Sequence, residues 1–560
     1  MPLFSATAPT PPPSEDGAAR PARTPAWLPS WINPKWLIVG LPVLVAALLI
    51  LPALDRIPGV NGDEAWTFER IDELERGLRP WNGMTFYVSG LHQYIVWPLA
   101  EWMGRDPLPV RLPGAVFTII AIGLVTFTML RRFGAATALS AGLLLATAPI
   151  QAKFGRFGTE VPALSPLFAA IAFAALGALD GVRGRRNLLL AGVGGLFLGL
   201  LSLNHIVLLP IPVTLTLILA LAFRRRFFTA PVTYAAFGGY LLGMSRRIYE
   251  VTVLGQLDWW LKEQKPSDWA SDILPMFHLI ARTWDGAMVY TRMTGEIAVF
   301  VVPYPELALI ALFVLRAWAR RQGAAITGPA TTGPRSWLSR IEGHALLAVL
   351  VAAVLTTRIA PHLSIRYAII IHTAVPIIFA LLCRPLFESA VARVRQAGLV
   401  VVATVLGLNL FYLTANYYLP FVRHDGGIAV FPVGTRLIET SSHFARTDGL
   451  YRRLRERGVR RVDTNNFIMR PLRMYDHAKA LEFGGVQPAF NSPGRAIVRT
   501  AVVFYNGPQW WGAEPPAPSE DSRSYGDFIM REGLKVKLDP SFPAPFRVYI
   551  VEPPPLITDG

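Results

Sequence analysis

The chain has 560 residues, of which 52% are apolar and only 16% charged, with a mean hydropathy of +0.39. That is too apolar for a soluble protein of this length and places it among polytopic membrane proteins. The net charge of +16 does not point to nucleic acid, because Lys and Arg gather at the ends of apolar segments, where topology and anionic lipid account for them; the single cysteine, Cys383, excludes an intramolecular disulfide and a cysteine-based metal site.

In chain order, residues 1–35 are rich in Pro, Ala, Thr and Ser and read as a disordered tail. Apolar runs of spanning length follow near 36–54, 112–130, 135–151, 161–179, 187–203, 205–223, 228–245, 297–315, 343–357, 367–383 and 398–414, about eleven helices in all. The arginine clusters at Arg131 and Arg132, Arg183 to Arg186, Arg224 to Arg226, Arg316 to Arg340 and Arg384 to Arg395 all fall on one side if the N-terminus is cytoplasmic. The opposite side then receives loop 55–111, short turns near 152–160, 204 and 358–366, the loop 246–296, and everything after 415. Within the first outer loop, 64–77 and 90–104 read as interfacial helices, since counting 90–104 as a span would invert every later arginine cluster. The inner loop 319–340 reads as a flexible linker. Beyond 415, an amphipathic helix over 450–462 ended by Gly458, a strand over 459–464, and strand-like runs at 496–505 and 546–552 predict a small α/β domain.

Charges on the outer side are the informative ones, because the topology rule does not require them there. Asp63 and Glu64, in Asn61-Gly62-Asp63-Glu64-Ala65, and Glu160 are carboxylates at the membrane edge. Such groups take a proton from an attacking hydroxyl or bind a divalent metal; Asp63 and Glu64 serve equally as the acidic first turn of the helix that follows. The basic set is Lys153 and Arg156, Arg246 and Arg247, Lys262 and Lys265, and Arg358 and Arg366 around His362. Arginines at four outer turns suit a shared anion such as a phosphate; taken singly, each suits a lipid headgroup or a carboxylate partner. His205 opens a helix at the outer face and can join the site, while His372 reads as a packing residue. Glu306 follows Pro303 and Pro305, where its helix can be broken, and Trp259, Trp260 and Trp269 read as an interfacial belt or a cover for an isoprenoid chain. No Walker motif, dinucleotide fingerprint, His-Glu-x-x-His or Gly-x-Ser-x-Gly occurs, which disfavours nucleotide-driven transport and serine hydrolysis.

The layout resembles the GT-C glycosyltransferases. One N-terminal span leads to an outer loop with Gly62-Asp63-Glu64-Ala65, and Arg111-Leu-Pro-Gly precedes the next span. Lys153-Phe-Gly-Arg156-Phe-Gly-Thr-Glu160 is similar to a Ser-Arg-x-x-x-x-Asp segment of that superfamily, and Ser364-Ile-Arg366-Tyr367 with Pro376 to its Arg-Tyr-x-x-x-x-x-Pro segment. Bacterial relatives of the protein O-mannosyltransferases and the lipid A aminoarabinose transferases (glycosyltransferase family 39 type) are the nearest in pattern, over about residues 36 to 470. The resemblance implies a polytopic α-helical membrane protein of GT-C type, with a catalytic membrane domain over 36–414 and a small extracytoplasmic α/β domain over 415–560. It implies inverting transfer of a sugar from a polyprenyl-phosphate donor to a lipid, glycan or protein hydroxyl at the outer face of the plasma (inner) membrane. By the same resemblance Asp63 is the catalytic carboxylate with Glu64 beside it, Glu160 stands where the family has Asp, Arg366 binds the donor phosphate, and His205 replaces a Lys. A divalent metal, Mg or Mn, held by Asp63 and Glu160 belongs to the same set of expectations. The competing readings are a secondary transporter using Glu306 and His372, and a non-catalytic scaffold that holds a polyprenyl lipid.

Overall fold

The structure is a computed structural model that describes residues 34–78, 88–255, 304–321 and 369–423, and shorter stretches between 425 and 552. The N-terminal tail before residue 34, nearly all of span 343–357, most of linker 319–340, and Lys262, Lys265, Arg358, His362, Arg366 and the three tryptophans of 259–269 lie outside the described residues. So do the side chains of Glu306 and His372.

Helix α1 (Pro34–Ile50) is the first apolar segment. After a loop, α2 (Gly62–Glu75) starts at Asn61, whose side chain accepts from the Asp63 N–H, while the Glu64 carboxylate accepts from the Asn61 N–H. This capping box satisfies two of the helix's orphan donors and fixes where the outer-loop helix begins. Helix α3 (Leu91–Met103) matches the second expected interfacial helix; Trp102 on it is 80% exposed. Asp106 caps α4 (Pro107–Phe133), which runs 27 residues, about 40 Å, and ends at Arg131, Arg132 and Gly134. α7 (Glu160–Gly177) and α8 (Arg185–Asn204) follow. By length and apolarity four described helices can cross a membrane: α4, α7, α8 and Ala392–Leu413. Helices at Tyr304–Arg321 and Ile369–Phe387 coincide with two further expected segments.

The expected span 135–151 is a bent pair instead. α5 (Ala135–Thr147) gives way to α6 (Pro149–Gly155) at an angle of 59°. Pro149 is the cause: its ring disfavours helical geometry at Ala148 and it has no N–H to carry the hydrogen-bond ladder across the break.

α8 lies against the helix Pro231–Thr252 with their backbones in direct contact. A Cβ on Gly195 would strike the Ala236 carbonyl and one on Gly199 the Tyr240 carbonyl; one on Gly239 would strike Gly192 and one on Gly243 Leu196. Small residues four apart on both partners let van der Waals contact hold a pair whose surroundings are as apolar as its interface. Gly239→Val is therefore expected to lower stability by about 1–3 kcal/mol through overpacking, seen as a lower melting temperature of the detergent-solubilised chain, whereas Gly238→Val, at a position with nothing near its Cβ, is expected to change it little.

After residue 446, helices Thr447–Glu456 and Asn466–Tyr475 cover a four-stranded sheet ordered Phe546–Val551, Thr500–Tyr505, Arg461–Asp463, Glu482–Gly484. The first pair is antiparallel and the others parallel. Leu450, Leu454, Val462, Ile468, Leu472, Val503 and Val548 form its core. The first helix stops before Gly458, whose φ of 66° is a conformation glycine adopts without strain. This layer does not stand apart from the outer loop. Met474 packs among Phe68, Ile71 and Val96, the Arg470 guanidinium lies 4.1 Å from the Trp66 ring centroid, and Arg473 pairs with Glu69 at 3.5 Å. His443–Phe444 pairs antiparallel with Val60–Asn61, the two residues just ahead of α2.

Candidate active site

The segment between α1 and α2 has few regular hydrogen bonds of its own, and two buried arginines take its carbonyls instead. Arg156 donates to Ile50 O (2.5 Å), Ala53 O (3.0 Å) and Ile57 O (3.0 Å from Nε), at the frayed end of α1. Arg111 donates to Leu54 O (3.0 Å), Pro58 O (2.6 Å) and Gly59 O (2.8 Å). Both are fully buried. The Arg156 guanidinium is thus spent on the chain end of α1, which corrects the expectation that it binds a donor phosphate.

Arg111 also forms a two-pronged pair with Glu64, Nε to Oε1 at 2.7 Å and Nη2 to Oε2 at 2.6 Å, with both side chains at 0% exposure. Glu64 Oε2 accepts in addition from the Asn61 N–H (3.0 Å) and Oε1 from the Gly158 N–H (2.9 Å). A carboxylate offers about four acceptor sites and all four are filled. Glu64 is therefore a structural anchor and not, as expected, a second catalytic carboxylate beside Asp63: it has no lone pair left for an incoming proton. Gly158 is required at the far end of this bridge, since a Cβ there would sit 2.6 Å from the Val110 side chain and 2.9 Å from its carbonyl carbon.

Asp63 is different. Capping is done by the Asn61 side chain and the Glu64 carboxylate, so the alternative in which Asp63 is the cap falls away. Asp63 sits in the first turn of α2 and is partly exposed, on a backbone held from behind by Glu64 and Arg111.

Glu160 begins α7 and is 2% exposed. Its Oε1 accepts from Gln93 Nε2 of α3 at 2.6 Å, and its carbonyl accepts from Asn204 Nδ2 at 2.9 Å. Ser89 completes the link, its N–H donating to Asn204 O and its hydroxyl to Asn204 Oδ1. Next to Asn204, His205 forms a backbone bridge with Val88, and its Nδ1 accepts from the Val207 N–H at 3.1 Å, capping a 3₁₀ turn. The start of α3, the start of α7 and the end of α8 therefore meet at Glu160 and His205. Asp63 lies one residue from Glu64 and Glu160 two residues from Gly158, so the Glu64–Gly158 hydrogen bond ties both carboxylates to one junction.

The remaining expected residues are placed elsewhere. Lys153 is buried in α6 with its ammonium 5.3 Å from the Phe154 ring centroid. Arg246 (3.1 Å) and Arg247 (2.7 Å) share the buried carboxylate of Glu250, a trio with one net positive charge. The described residues do not join either of these to the Glu160 junction. Among the described residues, the three-ligand cluster with metal-binding spacing is Asp72, Glu75 and His477. It stands about 13 Å along α2 from Asp63. Arg105 donates to both carboxylates there, at 2.6 and 3.0 Å, and supplies the positive charge that an ion would bring.

His92, beside Gln93, is fully buried and its Nε2 faces Val110 O at 3.3 Å, which fixes the neutral tautomer with the proton on Nε2. Nδ1 has no partner, so protonation would bury an unpaired N–H, and burial pushes the ring's pKa down to about 4. The unfolded chain takes up a proton near pH 6.5 and the folded one only near 4, so stability is complete above 6.5 and is lost as pH falls through this window. The expected loss is about 3 kcal/mol by pH 4, and His92→Phe is expected to flatten this stretch of the melting-temperature curve.

Residues 89–249, which contain α3, the Gly158 turn, Glu160 and His205, match the family model described as dolichyl-phosphate-mannose-protein mannosyltransferase. The match covers less than a third of the chain. No curated protein sequence matches the chain significantly. Among solved structures, the chain is similar to ArnT from Cupriavidus metallidurans bound to undecaprenyl phosphate, at 15% identity and TM-score 0.44, covering 84% of this chain and 92% of that one. It is also similar to the Archaeoglobus fulgidus oligosaccharyltransferase AglB in complex with an inhibitory peptide and a dolichol-phosphate, at 12% identity and TM-score 0.42, covering 84% and 69%. The family match starts at Ser89, the residue that links α3 to Asn204, and so takes in the whole Glu160 junction but not Asp63.

Gln93 and Asn204 carry this junction and were not singled out in the sequence, whereas Arg111 entered only as part of Arg111-Leu-Pro-Gly. Arg111 had a usable signal: in the topology read from the sequence it is an arginine ahead of a long span, where the positive-inside rule needs none. Gln93 and Asn204 have no signal in one sequence, since a neutral amide in an apolar segment does not announce its partner.

Proposed function

We propose that this chain is an inverting, polyprenyl-phosphate-sugar-dependent glycosyltransferase of the plasma membrane, with its N-terminus cytoplasmic, about eleven spans, and its active site and C-terminal α/β layer outward. Asp63 is the acceptor-side carboxylate: it takes the proton of the attacking hydroxyl as the sugar leaves the lipid phosphate. The observation that carries this reading is the division of labour at the start of α2, where Glu64, Asn61 and Arg111 do the structural work and Asp63 is held at a fixed place in the first turn. The donor class rests on the description of the matched family, which names a lipid-phosphate mannose and a hydroxyl-bearing macromolecule.

Glu160, joined to the same turn through Gly158, is the second carboxylate of the site. The leaving phosphate needs positive charge. That part is assigned to Arg366 and Arg358, with His362 and His205 nearby in the topology. Asp63 and Glu160 are oxygen donors of the kind Mg or Mn accepts together with substrate phosphates, and these two residues would hold such an ion. When bound it would neutralise charge on the phosphate.

The test is the full chain in nanodiscs with labelled undecaprenyl-phosphate sugars and cell-envelope lipid, glycan and protein fractions. Label transferred to an acceptor supports the proposal. Ion-coupled uptake of solute into liposomes without transfer would replace the enzyme by a transporter.

A further inference from the structure

We propose that Gln93 is the positioning residue of Glu160, and that its own amide oxygen completes an acceptor-only pair that takes a substrate hydroxyl. The inference rests on the glycosyltransferase reading above and names a residue and a ligand chemistry for that site. Gln93 is 1% exposed and Glu160 2%. Their contact, Nε2 to Oε1 at 2.6 Å, is short for an amide donor, as hydrogen bonds to an ionised acceptor are. The carboxylate only accepts, so the amide must turn its NH₂ toward Glu160; the orientation of the Gln93 head group is fixed by chemistry. Its Oε1 then points away and is buried with no partner.

A buried acceptor left unmet is costly, and residues at functional sites are where such a cost is found. What would meet it must donate. Beside a carboxylate, and with no described cation contacting Gln93, the fitting group is a neutral O–H donor, as sugars and acceptor alcohols carry. The pair is well braced for the task. Glu160 is held at its backbone by Asn204, which is held in turn by Ser89, four residues ahead of Gln93 on the same segment. The loop closes on itself: Ser89, Asn204, Glu160, Gln93.

The variants are Gln93→Met, which keeps length and removes both polar atoms, Gln93→Glu, which restores length but meets Glu160 with a second carboxyl, and Glu160→Gln, each made alone and as the double variant Gln93→Met with Glu160→Gln in the full chain. With undecaprenyl-phosphate sugar as donor, Gln93→Met is expected to lower kcat about 10- to 100-fold while KM for the donor stays within about twofold, because a misdirected catalytic group costs rate more than binding. In the double variant, Gln93→Met is expected to cost no further rate. Deoxy-sugar donors and deoxy acceptors separate the two sources of the hydroxyl: the single deletion that slows wild type but slows Gln93→Met no further names the partner. Melting temperatures of the same four proteins give a readout independent of catalysis, where a real hydrogen bond makes the two single losses fail to add. Additive losses in both rate and melting temperature overturn the inference while leaving the glycosyltransferase reading intact. Absence of transfer by wild type with any donor removes that reading, and non-additive melting temperatures then still assign Gln93 to Glu160.

Discussion

Arg111→Met is expected to cost the folded protein about 3–5 kcal/mol, the largest loss of any single replacement considered, and to abolish sugar transfer with it. The reason is what stays behind. Glu64 would remain fully buried with its charge, its two strongest partners gone, and the carbonyls of Leu54, Pro58 and Gly59 would lose their donor at the same time. The pair's own attraction is not the measure, since bringing two ions out of water offsets most of it. A control makes the point: Arg186 pairs with Asp180 at the surface, both about 60% exposed, and Arg186→Met is expected to change stability by no more than about 1 kcal/mol. Thermal unfolding of the two variants in the same detergent checks both, and equal losses would show that the Arg111 pair has no special structural weight.

Asp63→Asn is expected to lower turnover about 10²- to 10⁴-fold, the range a positioned general base contributes, with melting temperature nearly unchanged. The two parts of that expectation have separate sources. Turnover falls because an amide cannot take the hydroxyl proton. The cap of α2 survives because it is made by the Asn61 side chain, the Asp63 backbone N–H and Glu64, none of which the substitution alters. Glu64→Gln is the contrasting case. It leaves shape unchanged but turns an NH₂ group toward one of the donors from Arg111, Asn61 or Gly158, so it is expected to lower the melting temperature strongly. If Asp63→Asn retained full transfer, the acceptor-side base would have to be sought in Glu160.

These two carboxylates also show how far the sequence could be read. That an acidic turn opens a helix, and that a second helix follows over 90–104, is legible from periodicity, because that is a local signal. The helix before Gly458 and the strands near 461, 500 and 546 are legible for the same reason. That Glu64 is taken up as a structural anchor was not, because its partners are Arg111, 47 positions on, and the backbone of Gly158, 94 positions on. Arg156 misled for a related reason. An arginine at the outer face looks the same in sequence whether it faces a phosphate or the unsatisfied carbonyls at the end of a helix, and here the carbonyls of Ile50, Ala53 and Ile57 claim it. The helix Asn466–Tyr475, unforeseen because Pro471 interrupts its pattern, is the element that reaches back to α2.

The pairing of Val60–Asn61 with His443–Phe444 sets an order on biosynthesis. The two strands are separated by roughly 380 residues, so at 5–20 residues per second the segment that presents Asp63 emerges about 20–80 s before its partner strand exists. During that interval the newly inserted loop has only Arg111 and Arg156 to shape it, and both arrive within about the first hundred residues after it. The nascent membrane portion can thus settle its first outer turn early, but the strand that closes over it comes last. Chains halted before His443 are expected to insert their helices and bury the Glu64–Arg111 pair while leaving the turn ahead of α2 unsealed.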